Sequence, residues 1–180
     1  MTIHLVLGGA RSGKSRYAES QVTAIASKKV KHYVATAIAF DEEMVKRIAH
    51  HQQSRGNDWV EHECPIELAS LLARFEFGDV VLIDCLTLWL NNIIYNHGQT
   101  LSDEQIKRHV SELQQAIISC KADVILVSNE VGLGVVPLGE VSRLFVDHAG
   151  WMNQALAEVA HRVTLIAAGL PLILKQVDGA

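Results

Sequence analysis

The chain alternates between short apolar runs and longer amphipathic stretches. Mainly apolar runs, the pattern of buried strands, occupy residues 3–7, 32–36, 80–84, 123–128 and 163–167. Helical patterns lie between them, from residue 16 onward and over residues 41–54, 66–75, 86–95, 102–120 and 140–161. Apolar strands that alternate with helices are typical of α/β proteins, in which helices cover both faces of a mostly parallel sheet. We therefore predict one such domain over residues 1–180.

Local signals refine these elements. Ser102 is followed three residues later by Gln105, which is the spacing of a capping box at a helix start. Residues 59–63 alternate weakly and indicate an edge strand, and residues 172–174 indicate a last strand. In sheets of this kind ligands bind beyond the carboxyl ends of the strands, so the chemistry is expected in the segments that follow them.

The first of these segments carries a phosphate-binding motif. Gly8-Gly9-Ala10-Arg11-Ser12-Gly13-Lys14-Ser15 reads G-x-x-x-x-G-K-S, and it stands between an apolar run and a helical pattern, as a P-loop requires. In a P-loop the backbone N–H groups surround the phosphates, the lysine reaches the β- and γ-phosphates, and the serine hydroxyl binds Mg²⁺. We therefore predict these roles for Lys14 and Ser15. The alternative is a glycine-rich turn with an incidental Lys-Ser.

Two further segments follow strands at the same edge. Asp84 ends the apolar run 80–83, where a carboxylate can hold Mg²⁺ directly or through water; the alternative is a helix N-cap. Asn129 opens a stretch, 129–139, with three glycines and Pro137. Its polar residues can face a substrate, but its glycines can equally serve only the turn.

An adjacent histidine pair, His50 and His51, lies late in the predicted helix 41–54. Consecutive helical residues point about 100° apart, so only one ring can face a given site. Two surface histidines near a helix C-terminus are the simpler interpretation from geometry alone.

Composition narrows the function. Hydrophobic residues make up 49% of the 180 residues, charged residues 20%, and the net charge is −4, whereas nucleic-acid-binding domains usually carry a basic excess. The three cysteines form no C-x-x-C pair, so zinc and a disulfide framework are not expected, and a reducing cytoplasm fits. No signal peptide is indicated, and the longest apolar stretch, 163–174, is too short to span a bilayer. The absence of an N-K-x-D sequence argues against a switch GTPase.

Together the motifs resemble the bifunctional adenosylcobinamide kinase/adenosylcobinamide-phosphate guanylyltransferase family of cobalamin biosynthesis. The resemblance covers nearly the whole chain. It rests on Gly8 to Arg16, Asp41-x-Glu43-Met44, Arg47-Ile48-x-His50-His51, Asp84-Cys85-Leu86-Thr87, Ser128 to Pro137 and Gly150-x-x-Asn153-Gln154. The P-loop is shared by many families, whereas the His-His helix and the Asn-Glu-Val-Gly stretch are much more specific.

The resemblance implies two reactions. A nucleoside triphosphate, ATP or GTP, first phosphorylates the aminopropanol hydroxyl of adenosylcobinamide. GTP then transfers GMP to an enzyme histidine, and adenosylcobinamide phosphate takes the GMP to give adenosylcobinamide-GDP. The family pattern makes His50 the GMP carrier, which replaces the surface interpretation of that ring. Mg²⁺ is the implied cofactor.

The same resemblance implies nucleotide contacts beyond the P-loop, at Thr36, His51, Glu63 and Asp84. Residues 37–39 are apolar here, whereas the family usually has polar residues after Thr36, which argues against side-chain contacts there. The resemblance also implies a homotrimer, with the apolar helix 86–94 as a candidate interface. The rival interpretations are another P-loop kinase of a small metabolite, which would give His50 no role, and a nucleotide-binding switch module without transfer chemistry.

Overall fold

A computed structural model describes residues 1–26, 29–38, 58–95 and 101–177. The helix predicted over residues 41–54, with His50 and His51, lies outside these ranges. The strands are β1 (Ile3–Gly8), β2 (Val30–Ala35), β3 (Trp59–Glu63), β4 (Asp79–Asp84), β5 (Asp123–Asn129), β6 (Arg162–Ala167) and β7 (Leu170–Gln176). The helices are α1 (Lys14–Ile25), α2 (Leu68–Leu72), α3 (Leu86–Tyr95), α4 (Asp103–Ser119) and α5 (Glu140–Val159).

The seven strands form one sheet in the order β3-β2-β4-β5-β1-β6-β7. All neighbouring pairs are parallel except β6 and β7. The prediction of a mostly parallel sheet is therefore confirmed, and β3 stands at its edge as its weak alternation indicated. β5 lies between β4 and β1, so the carboxyl ends of β4, β5 and β1 meet side by side.

Helices cover both faces of the sheet, as predicted. Ala18 and Val22 of α1 pack with Val6, Leu82 and Ile125 on one face. The larger core lies on the other face, where α2, α3, α4 and α5 cover the alternate strand residues. Strands with apolar residues on both faces are what a doubly covered parallel sheet requires.

The helix starts agree with their signals better than the helix lengths do. The capping box of α4 is present, with the Ser102 hydroxyl accepting from the Gln105 N–H and the Gln105 side chain accepting from the Ser102 N–H. α2 is shorter than the predicted 66–75. The Ile66 carbonyl accepts from the Trp89 indole and the Leu68 N–H, and the chain after Leu72 tightens into i→i−3 bonds. Such bonds end an α-helix.

The last strand is longer than residues 172–174 and forms a hairpin with β6. Ala168 and Gly169, between the strands, both have positive φ, 51° and 80°. Two positive φ values are typical of the tight turn that suits the twist of antiparallel strands. Pro171 is tolerated because β7 is an edge strand.

The helix suggested as a subunit interface is part of the core. Most residues of α3 are buried within the chain, including Leu86, Leu90, Ile93 and Ile94. The suggestion is therefore wrong, because the apolar side chains of α3 are used to cover the sheet. Within the described ranges no helix is both long and apolar enough to cross a membrane.

A buried histidine makes stability depend on pH. Burial and the positive charge of Arg162 lower the pKa of His4 to about 4. Between pH 6.5 and 4 the unfolded chain binds a proton at this residue that the folded chain does not. Stability therefore falls as the pH falls through this window, by roughly 2–3 kcal/mol. Urea unfolding of the protein and of His4→Gln, which can still bond Thr164, measures the difference.

His109→Gln is the matched control, because His109 is well exposed on α4. We expect its pH dependence to follow that of the unchanged protein, whereas His4→Gln should lose stability less steeply below about pH 6.5. Parallel curves for all three proteins would contradict the role of His4.

Candidate functional site

The P-loop joins β1 to α1 and has the geometry of an anion-binding turn. Arg11 and Gly13 have positive φ, 55° and 97°, and the Ser12 N–H donates to the Gly9 carbonyl at 3.2 Å. Gly13 is the N-cap of α1 and provides no side-chain cap. The first N–H groups of the helix therefore have no capping side chain, and together with the helix dipole they favour an anion at this position.

Close packing explains why Gly8 is required. A Cβ atom at this position would lie 2.5 Å from the Ser12 hydroxyl and 2.7 Å from the Ile166 carbonyl oxygen. The turn between β6 and β7 supports the loop from the same side, because the Gly169 N–H donates to the Ser12 carbonyl at 2.9 Å. The Ser12 hydroxyl itself is buried without a hydrogen-bond partner in the described structure, a condition rare in cores.

Lys14 is the first residue of α1, and only 8% of its surface is exposed. Its ammonium group donates to the Gly9 carbonyl at 3.0 Å, so the side chain folds over the loop. Ser15, the predicted metal ligand, follows in the first turn of α1 and is partly exposed. The predicted phosphate-binding residues thus form one local unit.

Asp84 ends β4 at the same edge of the sheet and is partly exposed. Its Oδ2 lies 3.4 Å from the Tyr33 hydroxyl. The first helical hydrogen bond of α3 runs from the Trp89 N–H to the Cys85 carbonyl, which makes Cys85 rather than Asp84 the N-cap residue. The geometry therefore argues against the alternative that Asp84 serves only as a cap.

Thr36 is fully buried behind this carboxylate. Its hydroxyl donates to the Cys85 carbonyl at 2.7 Å and accepts from the Cys85 N–H at 2.9 Å. Its own carbonyl accepts from the Asn92 amide at 2.8 Å. Because these groups are used inside the chain, Thr36 holds the end of β2 against the end of β4, and direct contact with a nucleotide is not supported. Glu63, in contrast, is exposed at the end of β3.

The sequence did not single out a polar network between β4, β5 and α5. The Asn129 side-chain amide donates to the Thr87 hydroxyl at 2.6 Å, and that hydroxyl lies 3.2 Å from the Cys85 sulfur. Behind them the Ser128 hydroxyl donates to the Asn153 side-chain oxygen at 2.7 Å. The signal was the position of these polar residues directly after apolar strands, but nothing local showed which of them meet.

The thiol within this network is not a nucleophile. Burial and the charge of Asp84 raise the pKa of Cys85, although the Thr87 hydroxyl and the charge of Lys14 oppose the shift. A thiol that stays protonated near neutral pH is inert, since the thiolate is the reactive form. The influence of Lys14 on this thiol also shows that the P-loop lysine and the end of β4 are close enough for their charges to interact.

The described residues suit Mg²⁺ that arrives with a nucleotide. Ser15 and Asp84 offer hard oxygen donors, the type that Mg²⁺ prefers. No group of three or more His, Cys, Asp or Glu side chains in the described structure is placed to hold a metal ion. Mg²⁺ is commonly bound by one or two protein oxygens together with phosphates and water, so this donor set fits.

The histidine pair stays a prediction. His50 and His51 lie outside the described residues, so their distance from the P-loop is not part of this geometry. What the structure brings together is the P-loop, Asp84 and Asn129, all at the carboxyl edge of the sheet.

Solved structures with a similar fold are P-loop ATPases and relatives. One solved ATPase domain aligns with a TM-score of 0.58 at 13% identity, over 99% of this chain and 78% of that one. A KaiC-like protein from Pyrococcus horikoshii aligns with a TM-score of 0.53 at 11% identity, over 98% and 80%. At such identities the likeness establishes the fold, an α/β P-loop domain, and nothing more.

Sequence comparison is more specific. The chain is 48% identical over 177 residues to the bifunctional adenosylcobalamin biosynthesis protein CobP of Pseudomonas aeruginosa, covering 95% of this chain and 96% of that protein. It is 37% identical over 181 residues to the bifunctional adenosylcobalamin biosynthesis protein CobU of Escherichia coli, covering 95% and 98%. The profile of the CobU family, described as cobinamide kinase / cobinamide phosphate guanyltransferase, matches residues 4–174. The chain therefore belongs to the cobinamide kinase / cobinamide phosphate guanyltransferase family.

Proposed function

We propose that this chain phosphorylates adenosylcobinamide with a nucleoside triphosphate and then transfers GMP from GTP, through His50, to give adenosylcobinamide-GDP. The observation that carries this proposal is a P-loop of anion-binding geometry in a chain whose family match spans residues 4–174. The relatives named above are themselves called bifunctional. One triphosphate site is then asked to support attack at two different phosphorus atoms.

For the kinase step the chain supplies position and charge. The N–H groups of the P-loop and the N-terminus of α1 hold the β- and γ-phosphates, and Lys14 neutralises charge that develops on them. Mg²⁺, held by Ser15 and Asp84 together with the phosphates, supplies further charge neutralisation when it is bound. The acceptor hydroxyl needs no protein nucleophile, because it attacks the γ-phosphorus itself.

For the second step a protein nucleophile is proposed. A neutral imidazole is competent near pH 7, since the pKa of histidine lies near 6.5. A ring nitrogen of His50 forms a bond to the α-phosphorus, the α–β bridging bond breaks, and pyrophosphate leaves. The phosphate of adenosylcobinamide phosphate then displaces the histidine and takes the GMP.

The direct test is mass spectrometry of the protein after incubation with GTP and Mg²⁺. The proposal expects a mass increase equal to one GMP, located on the peptide that contains His50. A protein that phosphorylates cobinamide but never gains this mass would be the plain P-loop kinase considered above. Slow hydrolysis without any acceptor-dependent turnover would instead favour a switch module.

The metal role of Asp84 gives a separate prediction. Asp84→Asn keeps the shape but removes the charge, so we expect the Mg²⁺ concentration for half-maximal turnover to rise roughly 10- to 100-fold. Nucleotide affinity measured without metal should change little. Asp147→Asn is the control, because Asp147 lies on α5 rather than at the end of β4. An unchanged Mg²⁺ dependence in Asp84→Asn would contradict the proposed role.

A homotrimer is part of the proposal, but its contacts are placed elsewhere than α3. Large apolar side chains are exposed on the loop before α5 and on β7, namely Leu133, Val135, Val136, Leu138, Leu170, Leu172 and Leu174. Exposed apolar patches of this kind commonly mark protein interfaces. Light scattering of the purified protein measures the oligomeric state.

The proposed compartment is the cytoplasm. Cys64, Cys85 and Cys120 are free and buried, which suits a reducing environment. Adenosylcobinamide, its phosphate, GTP and ATP are the proposed partners, and no nucleic acid is proposed.

A further inference from the structure

The P-loop and Asp84 lie on strands that are not adjacent. β5 separates β4 from β1, and it ends in Asn129. In the β1–β5 register Asn129 stands opposite Gly8, and the next residue, Glu130, donates its N–H to the Gly8 carbonyl at 3.0 Å. Asn129 therefore lies between the loop that holds the phosphates and the strand that ends in the proposed metal ligand.

The Asn129 side chain reaches from β5 toward the start of α3. One amide proton is donated to the Thr87 hydroxyl at 2.6 Å, and the same nitrogen lies 3.8 Å from the Cys85 sulfur. Because Thr87 takes one proton, the second amide proton and the side-chain oxygen remain for other partners. Among the described residues neither of these is seen in a hydrogen bond to nitrogen or oxygen.

Buried residues fix Asn129 from behind. Asn153 of α5, itself buried, donates to the Asn129 carbonyl at 3.3 Å and accepts from the buried Ser128 hydroxyl at 2.7 Å. Thr87, which is also buried, completes the set. A buried polar network is stabilising only when its members are satisfied, so such a network holds one arrangement of its outermost side chain.

The position selects one phosphate. A P-loop lysine and the associated metal ion act on the β- and γ-phosphates. Lys14 is close enough to the end of β4 for its charge to act on Cys85, so the β/γ end of the nucleotide belongs on this side of the loop. The α-phosphate, where GMP transfer takes place, lies on the far side of the β-phosphate from there.

We infer that the Asn129 side-chain amide binds the γ-phosphoryl group during cobinamide phosphorylation, held in place by Thr87, and that it contributes little to guanylylation. The inference rests on the proposed function. In this step the acceptor oxygen bonds to the γ-phosphorus, the β–γ bridging bond breaks, its electron pair leaves with the nucleoside diphosphate, and the hydroxyl proton is released to water. Asn129 donates a hydrogen bond to the transferred group and exchanges no proton.

The test compares Asn129→Asp with the unchanged protein. The carboxylate has the same shape, but it offers no proton and repels the phosphate. We expect kcat for phosphorylation to fall roughly 100-fold, as happens when one donor to developing charge is lost. GMP labelling of the protein by GTP should stay within about threefold, because the reacting phosphorus is different. Gln115→Glu makes a matched amide-to-carboxylate change on the exposed side of α4 and should alter neither activity.

Thr87 provides a second arm. Thr87→Val removes the hydroxyl that positions the amide, so kcat for phosphorylation should fall by about tenfold, whereas Thr87→Ser should restore it. A merely structural role for Thr87 would lower both reactions together, and serine would not separate them.

Binding measurements make the inference independent of either transfer reaction. We expect the protein to bind a non-hydrolysable GTP analogue more tightly than GDP, and Asn129→Asp to lose most of that preference. An unchanged preference, or equal losses in phosphorylation and labelling, would overturn the inference. Absence of both activities in the unchanged protein would refute the proposed function instead, and the analogue-to-GDP ratio would still decide the role of Asn129.

Discussion

Lys14→Ala is expected to reduce both cobinamide phosphorylation and GMP labelling by roughly 100- to 1,000-fold. Both reactions need the triphosphate held in the same loop, and the ammonium group stabilises charge on phosphate oxygens that alanine leaves unpaired. Lys14 lies at the first position of α1 with its side chain folded over Gly9. Replacement removes one hydrogen bond to the loop backbone, worth about 1 kcal/mol, so the fold should persist.

Lys121→Ala is the matched control. Lys121 carries the same charge but pairs with Glu76 on the exposed surface, away from the loop. Circular dichroism and thermal unfolding of both variants show whether each is folded, and initial rates with radiolabelled nucleotide measure the two reactions. A folded Lys14→Ala protein with full activity in either reaction would show that the loop does not act as proposed.

His50→Ala is expected to eliminate GMP labelling and guanylyl transfer while leaving most of the phosphorylation. The proposed bond is a phosphoramidate, so the label should survive alkali and be lost in acid, where a protonated ring nitrogen becomes a good leaving group. Phosphorylation should persist because the acceptor hydroxyl attacks directly and depends on positioning and charge. GTP labelled at the α-phosphate, followed by acid or alkali treatment, measures both properties.

His51→Ala is the neighbouring control for this prediction. If the pair lies on a helix as the sequence predicts, the two rings point about 100° apart, and only His50 faces the nucleotide. His51→Ala should therefore still accept label. Label on His51, or undiminished labelling of His50→Ala, would identify the wrong ring, and no label in any variant would favour the plain kinase.

Local signals made much of the fold predictable. The apolar runs that became β1, β4 and β5 are buried on both faces, so their character is visible in the residues themselves. The P-loop was equally visible, because its function requires glycine and lysine at set spacing. The Ser102–Gln105 capping box was confirmed for the same reason, since both partners lie within one turn.

Features that depend on distant residues were not predictable in the same way. Asn129 and Thr87 are 42 residues apart, and the sheet order that brings them together is not written in either segment. Thr36 was predicted to contact nucleotide from the family resemblance, yet Cys85, on another strand end, occupies its hydroxyl. The length of α2 likewise depended on the Trp89 indole, which no pattern around residue 66 reveals.

The hairpin of β6 and β7 has a consequence for the order in which the site forms. The P-loop is local in sequence, but the Ile166 carbonyl packs against Gly8 and the Gly169 N–H binds the Ser12 carbonyl. These partners are far apart along the chain, and the neighbours of β1 in the sheet, β5 and β6, are equally distant from it in sequence. Contacts of such high contact order form late, because loop closure must precede them. During synthesis the ribosome therefore has to translate and release the hairpin before the phosphate loop acquires its support.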